Sequence, residues 1–69
     1  MNKYEIIVFW SQEDNAFIAE VPELPGCVAD GENPIDALKN VNTVIDEWIE
    51  TALQTRRKIP KPKGRLMFA

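Results

Sequence analysis

Residues 16–38 read AFIAEVPELPGCVADGENPIDAL, and three breaks inside this stretch decide the fold. Ala16–Val21, with β-branched Ile18 and Val21 and aromatic Phe17, reads as a strand. Pro22 and Pro25-Gly26 then stop it, because proline removes a ladder donor and proline-glycine marks a turn. Cys27–Asp30 is long enough for one short strand, closed by Gly31. Asn33 is a good helix N-cap, Pro34 suits the first helical position and Asp36 favours the positive end of the helix dipole. A strand, a tight connection, a second strand and a helix start therefore follow one another within 23 residues.

Upstream, Lys3–Trp10 (KYEIIVFW) is rich in β-branched and aromatic residues and reads as a first strand. Alternation sends Tyr4, Ile6, Val8 and Trp10 to one face and Glu5, Ile7 and Phe9 to the other, so both faces are mostly apolar. Ser11–Asn15 is polar and of ordinary hairpin length. Downstream, Leu38, Val41, Ile45, Trp48 and Ala52 recur at three- and four-residue steps, with Ile49 and Leu53 widening the stripe. The pattern predicts a helix with Arg56, Arg57 and Lys58 in its last turn and Pro60 as its stop. Trp48 is expected as a central core residue. Leu66–Phe68 is a candidate for a last short edge strand.

The order β-β-β-α-(β) predicts an α+β fold: a three- to four-stranded antiparallel sheet with one helix on one face. The 69 residues allow a single domain, residues 1–69, with no room for a DNA-binding extension. One helix covers one sheet face, while strand one offers Ile7 and Phe9 to the other. A homodimer or larger assembly, joined through a sheet face or a strand edge, is expected to bury them.

Composition removes several function classes. With no histidine and one cysteine, Cys27, the chain has neither a Cys/His zinc site nor a histidine general base. Cys27 reads as a small buried hydrophobe. Glu5, Glu20, Asp30 and Asp36 are scattered along the chain, so no two-metal acidic cluster is expected, and no catalytic, cofactor-binding or metal-binding residue is assigned. No export signal or membrane span is recognisable, and a lone thiol suits a reducing compartment, so a cytoplasmic location is expected. Residues 1–55 carry all eleven acids and two bases, Lys3 and Lys39, a net charge of −9; residues 56–69 carry the other six bases and no acid, +6. An acidic body does not point to nucleic-acid binding.

The stretch FIAEVPELPGCVADG at residues 17–31 resembles the HicB-like antitoxin family, whose pattern runs [AE]-x-P-x-[LF]-P-G-C-x-[AST]-x-G before an acidic-Ala-Leu helix start. Glu20, Pro22, Leu24, Pro25, Gly26, Cys27, Gly31, Ala37 and Leu38 match it. Ile59, Pro60 and Pro62 resemble the family's I-P-x-P ending. The resemblance implies a partial ribonuclease-H-like β-β-β-α-β domain without nuclease activity, which binds and neutralises a small basic HicA-type ribonuclease toxin by protein–protein contact. The expected contact residues are Glu13, Asp14, Glu20, Glu23, Asp30 and Glu32, with Leu24 as an apolar anchor. Two alternatives stay open: an orphan small-ligand or regulatory domain of the same fold, and a minimal RNA-binding protein using the basic tail 56–65.

Overall fold

A computed structural model describes residues 3–62. Three strands and one helix follow in chain order: β1 (Ile7–Ser11), β2 (Ala16–Glu20), β3 (Val28–Gly31) and α1 (Pro34–Gln54). The strands form an antiparallel meander in the order β1-β2-β3, which is the expected α+β architecture. The proposed strand at Leu66–Phe68 lies outside the described residues.

β1 is shorter than its composition suggests. Ile7 pairs with Glu20, the last residue of β2. Beyond Glu20 the chain turns away at Pro22, so β2 has no residue opposite Lys3–Ile6. The β1–β2 connection tightens through Asn15, whose φ of 52° is a left-handed conformation that asparagine tolerates better than most residues. Ser11 Oγ accepts from the Asp14 backbone N–H and donates to Asp14 Oδ2, closing the turn at 3.3 and 2.9 Å.

The PELPG segment becomes two consecutive β-turns with a proline at the second position of each. Leu24 N–H donates to Val21 O, and Cys27 N–H donates to Leu24 O. Pro25 presets its backbone angle, and Gly26 at φ 79° takes the left-handed place that a type II turn requires. Val21 N–H to Cys27 O at 3.0 Å closes the base of the double turn. Leu24, at the corner shared by both turns, points inward and is fully buried.

Pairing fixes what each sheet face carries. Ala19 stands opposite Val8 and Ala29, and Phe17 opposite Trp10 and Gly31. This inner face lies under α1, and β1 is the strand the helix covers least. Ala19, Val21, Leu24 and Cys27 pack with Ala37, Val41 and Ile45 of the helix to form the core. Gly31 is obligatory here: a Cβ built on it would lie 2.4 Å from the backbone nitrogen of Ala37. The helix is entered as expected, with Asn33 Oδ1 accepting from Asp36 N–H at 2.8 Å and proline in the first turn.

The helix ends earlier than its periodicity predicts. Thr55 is the C-cap, and Arg56 sits at φ 57°. Arg57 N–H donates to Ala52 O and Arg56 N–H to Leu53 O, the paired bonds of a Schellman closure with arginine where glycine is usual. Arg56–Lys58 therefore lie beyond the helix, and its last turn carries no basic residue. Trp48 is also displaced from its expected central place. It packs against the core as a half-buried residue, donates from Nε1 to Pro25 O at 2.9 Å and lies under the Arg57 guanidinium, 5.5 Å from the ring centroid. The central residues are Leu24, Val41 and Ile45. Leu38 and Leu53, placed on the apolar stripe by spacing, are exposed.

Candidate functional site

The sheet's outer face has no layer over it among the described residues. Phe9, Ile18 and Asp30 stand in one cross-strand row, and Ile7, Glu20 and Val28 in the next. Phe9 is 43% exposed and Val28 48%. With Asp14, Ile18, Ala29 and Asp30 they line an open depression of about 470 Å³. Large apolar side chains held in contact with water on one continuous surface are the usual mark of an interaction site. Spacing alone singled out Ile7 and Phe9. Ile18 and Val28 were missed, although the two-residue period relative to Ala19 and Cys27 carries the signal.

The acids expected to contact a partner divide into two groups. The β1–β2 turn and the end of β3 come to the same end of the sheet, because Phe17 pairs with Gly31. Glu13 and Asp14 of the turn, Asp30 of β3 and Glu32 beyond it are thereby gathered there, all exposed. A cleft of about 590 Å³ at this end is lined by Asp30, Glu32, Asp36 and Lys39 among others. The Asp30 backbone is tied down by Asn40, whose Nδ2 donates to Asp30 O at 2.8 Å. Glu20 lies toward the opposite end of the sheet, half-buried beside Val28.

Two expected contact residues are accounted for differently. Glu23 is half-buried and accepts from the Glu5 backbone N–H at 3.4 Å, so it ties the segment before β1 to the double turn. Leu24 is 0% exposed and cannot serve as an apolar anchor for a partner; it is the residue around which the double turn folds. Cys27 is buried as expected, and loss of solvation raises its thiol above the usual value of 9.0, which keeps it protonated and poorly nucleophilic at neutral pH. Among the described residues, no helix is long and apolar enough to cross a membrane.

These features define a small α+β module: an antiparallel meander, one helix on its inner face, and an outer face that is apolar at its centre and acidic at its margins. The chain belongs to the UPF0150-like family, whose model matches residues 3–60. It is 39% identical over 60 residues to UPF0150 protein ssl0259 of Synechocystis sp., covering 87% of this chain and 82% of that one. It is 36% identical over 59 residues to UPF0150 protein Ta0767 of Thermoplasma acidophilum, covering 86% and 84%. No solved structure matches it significantly.

Proposed function

We propose that this chain is a HicB-like antitoxin that binds and neutralises a small basic HicA-type ribonuclease by protein–protein contact. It works by occupying its partner and not by catalysis, in the cytoplasm, as a homodimer or larger assembly. One observation carries the reading: from residue 4 to residue 38 the chain has eight acids (Glu5, Glu13, Asp14, Glu20, Glu23, Asp30, Glu32 and Asp36) and not one lysine or arginine. That span forms the whole sheet and its turns. A ribonuclease must attract phosphate, so its RNA-binding face is positive. An opposing acidic surface competes for that face and accelerates encounter. The resemblance of residues 17–31 to the HicB-like pattern supports the same conclusion.

Self-association is assigned to the edge of β1. Ile7–Ser11 carries no charge and no proline, β2 is its one strand neighbour among the described residues, and Val8, Phe9 and Trp10 are exposed on both sides of it. No described strand pairs with that edge; an open edge is a template for pairing, and an antiparallel strand can pair with its own copy about a two-fold axis.

A reading frame for a small basic protein beside this gene is expected, and co-expression of the two tests the proposal. Rescue of growth, together with loss of RNA cleavage by the purified pair, is the expected result. A neighbouring basic ribonuclease that is neither bound nor inhibited refutes it. A sedimentation mass that stays at one protomer across the concentration range refutes the assembly.

A further inference from the structure

We infer that the outer face of the sheet, centred on Phe9, Ile18 and Val28, is the surface on which the basic partner docks, and that the partner meets it with an apolar patch bordered by lysines and arginines. The inference rests on the antitoxin reading and adds to it the place of contact. Four surfaces are rich enough in exposed side chains to compete: this face, the acidic cleft at the end of β3, the side of the helix bearing Leu38 and Leu53, and the basic segment after α1.

The acidic cleft supplies charge without an apolar anchor. Charge of that kind speeds encounter but contributes little to the lifetime of a complex. On the helix, Ile35, Leu38 and Leu53 are exposed but interspersed with Lys39, Asn42, Asp46 and Glu50, so apolar and charged groups of both signs alternate there. The segment after α1 has the wrong sign for a basic partner. The outer face alone combines an apolar centre with a margin of one sign. Asp14, Glu20 and Asp30 stand beside Phe9, Ile18 and Val28, and no base occurs anywhere in the three strands or the turns that join them.

Size agrees with this assignment. Strands of four and five residues, at a rise of ~3.3 Å and a spacing of ~4.8 Å, make a face roughly 17 by 10 Å. That is about a fifth of the ~800 Å² each partner gives to an ordinary interface, so it can serve as the centre while the charged margins supply the rest. The same charges exclude a second copy as the occupant. Two outer faces brought together would set Asp14, Glu20 and Asp30 against carboxylates of their own kind around a drying centre. Like charges so placed disfavour the pair, whereas a basic rim satisfies them. The two associations thus use different parts of the sheet: the uncharged edge of β1 for the copy, the acid-margined face for the partner.

The test uses the full chain and a purified small basic HicA-type ribonuclease, the product of the reading frame expected beside its gene, with affinity measured by calorimetry. Val28→Lys changes an exposed residue of an edge strand and is expected to weaken binding by about 30-fold or more. Leu53→Lys, on the helix, is expected to bind within about threefold of the parent, with both variants melting like the parent. Asp30→Lys is expected to slow association, and the deficit should shrink as salt rises. Methyl resonances of Ile18 and Val28 in the unaltered chain, shifted on titration with the partner, give the same answer if Val28→Lys does not fold. Binding that survives Val28→Lys but is lost in Leu53→Lys overturns the placement and leaves the antitoxin reading intact. A Val28→Lys chain that loses self-association while keeping its partner overturns it in favour of a second copy. An unaltered chain that does not bind the basic protein overturns the antitoxin reading itself.

Discussion

In β2 and β3 the two faces of this sheet are built from residues of different size, whereas β1 is bulky on both. On the inner face, where α1 packs, β2 and β3 contribute Ala19, Ala29 and Gly31 beside Phe17. On the outer face they contribute Ile18 and Val28, with Phe9 and Ile7 from β1. In these two strands small residues lie under the helix, and the larger Ile18 and Val28 face the side that no described layer covers. A chain of this length buries only about 60% of its unfolded surface. Bringing the single helix close over small residues makes a dense, dry layer from few atoms, and leaves the large side chains free for another molecule. The difference between the faces is thus a division between folding and binding, and it can be attacked from either side.

The largest expected effect is at Gly31. A β-branched side chain there would drive into the Ala37 backbone, so Gly31→Val should abolish the cooperative thermal transition. Next comes Ile45→Ala. Removing a fully buried isoleucine from beneath the helix should cost about 2–5 kcal/mol, read from urea titration. Arg56→Gly should act in the opposite direction. It relieves a left-handed residue at the helix end and should stabilise by about 1 kcal/mol in the same titration. The smallest effect belongs to the outer face, where Val28→Thr should change stability by less than about 0.5 kcal/mol. A large loss from Val28→Thr would mean that the outer face belongs to the fold after all, and the division between faces would fail.

Elements decided by local chemistry were legible in the residues. Pro25-Gly26 demanded a turn and became one, and Asn33 with Pro34 marked the helix start to the residue. The boundaries that depend on a partner strand or on distant packing were not. Lys3–Ile6 has strand composition, yet β2 is too short to pair with it. Nothing between Ala52 and Lys58 is a helix breaker by type, so the stop at Thr55 is hidden from periodicity. Leu24 was misjudged for a related reason. A residue between two prolines looks like a loop tip, and only the double turn's closure at Val21 and Cys27 directs it inward. For the candidate surface, alternation disclosed that β1 is apolar on both sides. That Asp14, Glu20 and Asp30 border one face required the register of three strands.

After the Schellman closure the chain runs back toward the start of the first strand, where the Tyr4 hydroxyl donates to the Pro60 carbonyl. The two residues are 56 positions apart, while the strand pairings join neighbours in sequence and the helix packs most on β3, the strand just before it. Closing a ring that long is entropically harder than closing the hairpins, though the penalty grows only with the logarithm of its length. The order of events follows from topology: the meander and helix assemble first from near contacts, and the Tyr4–Pro60 clasp closes last. A segment that docks last is expected to open before the sheet does. Amides of residues 4–6 should then exchange with solvent before those of β2, the central strand of the sheet.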